Sequence, residues 1–122
     1  MTIVEEARWF ACRSVIRWLD LPTDKESYEE RITIWCATSS TEAIAMAEAE
    51  SAKYAAANEL EDLGFTQVYE MFTNPANGAE VFSLIRDSEL QPDEYLDSFF
   101  DTGNERETHV TQPCCRSTAD CL

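Results

Sequence analysis

The chain has 122 residues, 44% of them hydrophobic and 11% aromatic, with 24 acids against nine lysines and arginines and a net charge of −15. That length suits one domain, and this much apolar content at this charge rules out a disordered chain. The acidity speaks against nucleic acid or an anionic membrane surface as partner, since phosphates would be repelled, and favours encounter with a basic protein.

No apolar run approaches the roughly 20 residues of a membrane helix. Glu5 and Glu6 stand where a secretory leader would carry lysine or arginine, so a cytoplasmic protein is expected. The cysteines number five, an odd count, and Cys12 and Cys36 fall inside apolar strand patterns. They read as reduced thiols and not as a disulfide framework.

From Arg8 to Leu19, RWFACRSVIRWL alternates with period two and is rich in aromatic and β-branched residues, the pattern of a strand. DLPTDKES follows with loop chemistry, and YEERITIWCA alternates again. The two strands are expected to pair as a hairpin. Their buried face is read as Phe10, Cys12, Ile16, Ile32, Ile34 and Cys36. The period then changes. Ser39 with Glu42 three residues on forms a capping box, predicting a helix from about Ser40 to about Asp62, ended by Gly64. Ala45, Ala49, Ala52, Ala56, Leu60 and Leu63 make one stripe, taken as the face against the sheet, and the acids lie largely away from it.

FTQVYEMFT and AEVFSLIRD, joined by NPANG, read as two further strands. QPDEYLDSFFDTG reads as a short helix: Pro92 suits its first position, Asp93 and Glu94 suit the positive end of its dipole, and Gly103 follows its end. Tyr95, Leu96, Phe99 and Phe100 form its apolar edge. The expected fold is α+β in the order ββαββα: a single four-stranded, antiparallel-rich sheet, one long helix on one face and a short C-terminal helix. Residues 1–103 are expected to form the domain. Residues 104–122 have neither period and are expected to form a mobile polar tail.

Several runs also resemble a known family. Trp9-Phe10, Glu30, Glu42-Ala43, Val68-Tyr69-Glu70 and Glu80-Val81-Phe82-Ser83 resemble the motifs of the domain of unknown function 4288 family, a group of small bacterial domains. The resemblance spans about residues 8 to 87 and departs at Phe82, where the pattern usually has tyrosine. It implies the α+β fold and carries no activity.

Of the seven arginines, five (Arg8, Arg13, Arg17, Arg31 and Arg86) lie in or beside predicted strands. Trp9, Arg13, Arg17, Arg31 and Trp35 are read as one face opposite the apolar one. An uncovered face of this composition suits self-association as a homodimer or a protein partner, because arginine and tryptophan are enriched in interface cores. Arginines lying over aromatics on a wet sheet face is the plainer reading, and an anion pocket a third. Glu30, Glu70 and Glu80 are expected as ion-paired strand acids.

No metal or other cofactor is expected. His109, Cys114, Cys115 and Cys121 lack the paired C-x₂-C spacing of a zinc knuckle, and the three glycines form no phosphate loop. No catalytic residues are assigned. Two functions remain open: a non-enzymatic acidic interaction domain, such as an inhibitor or immunity-type partner of a basic protein, and a small-ligand or catalytic domain using the arginine and tryptophan face.

Overall fold

The structure, a computed structural model, describes residues 6–18 and 26–107. In chain order come strands β1 (Arg8–Trp18) and β2 (Ser27–Ala37), helix α1 (Ser40–Ala57), strand β3 (Glu61–Glu70) and the single turn α2 (Pro92–Tyr95). A wide π-helical turn, Leu96–Phe100, continues α2 and closes with the Asp101 N–H donating to the Leu96 carbonyl at 2.9 Å. The chain divides between Leu84 and Ile85 into two compact units. The first holds the sheet and α1; the second holds α2. The first part of the connection after β1, the expected mobile tail beyond residue 107 and the tail cysteines lie outside the described residues.

The sheet has the order β2-β1-β3, with both pairings antiparallel. The predicted hairpin is present, running from Arg8 opposite Ala37 to Trp18 opposite Ser27 without interruption. Central β1 carries the deepest side chains: Phe10, Cys12 and Ile16 toward α1, and Ala11 toward the opposite face. The core cluster joins Phe10, Cys12 and Ala37 to Ala43 and Ala47 of α1, with Trp35, Met46 and Val68 packed against it.

Four expectations need correction. The fourth strand is absent from the described sheet, and residues 79–87 carry no regular secondary structure. A hairpin across NPANG needed β3 to continue to Thr73. Instead β3 stops at Glu70, Met71 turns inward to 3% exposure, and Phe82 meets the open sheet face by its side chain.

The helix is shorter than its alanines suggest. Ser39 caps its start, its hydroxyl accepting from the Glu42 N–H at 3.1 Å, while the Glu42 carboxylate takes the Thr38 hydroxyl at 2.8 Å. It ends at Ala57. Glu59 adopts a left-handed φ of 56°, and the Leu60 N–H returns to the Ala55 carbonyl at 2.8 Å. That is the six-to-one closure of a Schellman turn, with glutamate where glycine is usual. Gly64, expected as the helix stop, lies inside β3 at φ 79°. There the pairing to β1 jumps from Ser14 opposite Thr66 to Ile16 opposite Asp62, and the Gly64 N–H binds the Asp62 carboxylate at 3.0 Å.

The buried stripe of α1 is Ala43, Ala47, Ser51 and Ala55, whereas Ala45, Ala49, Ala52 and Ala56 are exposed. On a helix turning about 100° per residue, the expected stripe lies on the far side. Alanines occupy both sides and cannot decide between them. Ile44 and Tyr54 decide, because only the observed orientation half-buries these larger side chains.

The fourth correction concerns β2. Across an antiparallel pair, directly opposed residues share a face. Phe10, Cys12, Ser14 and Ile16 oppose Trp35, Thr33, Arg31 and Glu29, which puts these β2 residues on the helix side. Ile32 and Ile34, assigned to the core from sequence, are 46% and 37% exposed on the other face beside Cys36.

Candidate functional site

The five residues read from sequence as one surface therefore divide. Trp9, Arg13 and Arg17 alternate along β1 onto the open face; Arg31 and Trp35 of β2 project beneath α1. No single patch carries all five.

On the open face, Arg13 donates from Nη2 to the Gln67 side-chain oxygen at 2.6 Å, and its Nη1 lies 3.8 Å from the Glu30 carboxylate. Its guanidinium carbon sits 5.2 Å from the centre of the Phe82 ring. Phe82 also packs on Tyr69 at 5.8 Å, so this one side chain spans neighbouring strands. Arg17 meets Glu26 at 2.8 Å and Glu61 at 3.6 Å, and the Tyr28 hydroxyl donates to the same Glu26 carboxylate at 2.7 Å. The Tyr28 hydrogen bond, followed by the charge of Arg17, holds the Glu26 carboxyl below its usual range. The same bond pushes the Tyr28 phenol up, and the Glu26 charge pushes the Arg17 guanidinium up.

Beneath the helix, Arg31 grips Glu50 with two parallel hydrogen bonds of 2.9 Å each and lies 3.6 Å from the centre of the Tyr54 ring. The Tyr54 hydroxyl donates to Glu29 at 2.7 Å, and the Trp18 indole N–H reaches the same carboxylate at 3.3 Å. Hydrogen bonding to Glu50 raises Arg31, and hydrogen bonding to Glu29 raises the Tyr54 phenol. Trp35 donates its indole N–H to Thr33 at 2.7 Å and backs the core cluster. This is a two-layer clamp between β2 and α1, in which Glu50 matches the Arg31 charge and two neutral donors hold Glu29.

The strand acids follow their expectation in part. Glu70 pairs with Arg8 at 2.6 Å and Glu30 faces Arg13, while Glu80 hydrogen-bonds Tyr69. Glu26, Glu50, Gln67 and Tyr54 were not assigned to a site from sequence, and Phe82 entered only as a departure from the family motif. Only Tyr54 left a signal, as the lone large ring in an alanine-rich helix. Arg86, in the second unit, lies 4.2 Å from the centre of the Phe99 ring and donates to the Tyr95 hydroxyl at 2.9 Å.

Cys12 and Cys36 are both free thiols; burial pushes the Cys12 thiol up. Among the described residues, no three histidine, cysteine, aspartate or glutamate side chains gather as metal ligands. His109, Cys114, Cys115 and Cys121 lie outside them. No described helix is long and apolar enough to cross a membrane. Comparison with family models, curated proteins and solved structures finds no match.

Proposed function

We propose that this chain is a non-enzymatic acidic interaction domain of the cytoplasm, an inhibitor or immunity-type partner that covers a basic protein. The observation that carries this reading lies in residues 91–101. Leu96, Phe99 and Phe100 are 47%, 47% and 75% exposed, and Asp93, Glu94, Asp97 and Asp101 surround them in sequence. Aromatic anchors ringed by acids suit an apolar groove with a basic rim, the rim steering encounter and the groove holding the rings. Membership of the domain of unknown function 4288 family is proposed on the motifs given above and adds no activity. The alternative, a small anion held by strand arginines, would first have to displace Glu26, Glu30, Glu50 or Glu61 from them.

Affinity capture from lysate tests the reading, with wild type beside a Phe99→Ala/Phe100→Ala variant. The expected result is a stoichiometric basic protein held by wild type, released by salt and lost with the variant. A co-purifying metabolite with no protein would overturn it in favour of the ligand site.

A further inference from the structure

The two outer strands of the sheet differ in a way that matters for assembly. Edge strands are templates for further pairing, and proteins usually blunt them with bulges, proline or charged side chains, lysine above all. The β3 edge is blunted in this way. It carries the register jump, Gly64 at φ 79°, and Glu61, Asp62 and Glu70 along its length. The β2 edge carries no bulge, and its charged residues, Glu29, Glu30 and Arg31, are confined to its first half. Its sequence, SYEERITIWCA, has no glycine, proline or lysine, and it pairs with β1 in one unbroken register over all 11 residues. Among the described residues, no strand lies on its outer side. Its open-face side chains include Ile32 and Ile34, both exposed.

We propose that two copies of this chain associate by antiparallel addition of β2 to β2, joining two three-stranded sheets into one continuous sheet. The occupant is argued from the distribution of charge along the strand. Glu29 and Glu30 lie in its first half, and Thr33 to Ala37 carry no charge. A two-fold axis at Thr33 sets Glu29 against Ala37 of the second copy and Glu30 against its Cys36, so no acid meets an acid. The same axis sets Ile32 against Ile34 of the second copy twice over, closing a four-isoleucine patch. It also sets Arg31 against the Trp35 of the second copy. A parallel pairing would stack the glutamates on each other. The symmetric arrangement therefore satisfies both the backbone edge and the exposed isoleucines.

Sedimentation across a dilution series tests this with the full chain. Wild type should show a monomer–dimer equilibrium that tightens with added salt, since each copy brings a charge of −15. That sign is opposite to the one expected for capture of a basic partner, so the two proposals fail separately. Ile32→Lys/Ile34→Lys and Ile32→Glu/Ile34→Glu should each weaken the dimer by at least about tenfold, because like charges then face each other across the axis. Mixing the two variants should restore a dimer containing one of each. Circular dichroism and melting of each variant confirm folding, and recovery in the mixture excludes misfolding as the cause of dissociation. A wild type that stays monomeric throughout overturns the proposal. So does a dimer unmoved by both variants, or a mixture that stays monomeric.

Discussion

The two faces of the sheet use the same residue types to different ends. Beneath α1, Arg31 is mostly covered and makes a two-point contact with Glu50 while lying on Tyr54. On the open face, Arg17 meets Glu26 and Glu61 with all three side chains at least a third exposed. A covered, two-point pair fixes the helix on the sheet. An exposed pair is screened by water and salt, and it adds little to stability. Charge sorting on this sheet is thus structural on one side and close to neutral for stability on the other.

The largest contrast should appear in packing. Ala47→Leu, in the stripe that touches the sheet, should cost about 1–3 kcal/mol by overpacking. Ala49→Leu, on the outer side of the same helix, should stay within about 0.5 kcal/mol of wild type. Urea unfolding measures both, and equal losses would mean that α1 meets the sheet through another face.

A smaller difference should separate the arginines. Arg31→Met should cost about 1–2 kcal/mol, below the usual figure for a fully buried pair because Glu50 is itself a third exposed. Arg17→Met should leave the unfolding midpoint unmoved. A loss at Arg17 matching that at Arg31 would erase the distinction between the faces.

The smallest effect is in pH. The Tyr54 phenol is raised when folded, so its contribution is complete below the ordinary tyrosine value of about 10 and is lost as pH rises through the higher folded value. Glu26 runs the other way. Its lowered carboxyl stabilises above the ordinary carboxylate range, and this is lost as pH falls through the folded value. Thermal melting should therefore decline at strongly alkaline pH, and Tyr54→Phe should make that decline shallower. An unchanged slope in Tyr54→Phe would show that the phenol is not coupled to folding.

How much of this was legible in the sequence depended on whether the decisive contact was local. The hairpin and the Ser39 cap were legible, because period-two alternation and a hydroxyl three residues before a glutamate are local signals. Both faces of β2 alternate equally well, Arg31-Thr33-Trp35 against Ile32-Ile34-Cys36. Hydropathy favours the isoleucines for the core, but the register with β1, a long-range fact, puts Trp35 there. The α1 stripe failed similarly, since alanine every second residue offers several equivalent faces. The fourth strand failed because AEVFSLIRD has strand composition, yet β3 stops at Glu70, too early for a hairpin. The candidate site inherited the β2 error: three of its five residues share the open face, and the partners of the two arginines there, Glu26, Glu30, Glu61 and Gln67, all come from outside β1.

The irregularity in β3 has a consequence for how the strand counts its residues. Before the jump, paired numbers sum to 80, as in Cys12 with Val68; after it they sum to 78, as in Ile16 with Asp62. The surplus is two, an even number, so side chains keep the same phase on both sides of it. Val68 and Asp62 both look toward α1, while Gln67 and Glu61 both look outward to Arg13 and Arg17. Removing one residue from 63–65 would reverse that parity, turning Glu61 away from Arg17 or dragging the rest of the strand out of phase. Removing two would leave every facing intact and draw the ladder straight. The strand is thus tolerant of length changes in pairs and intolerant of single ones.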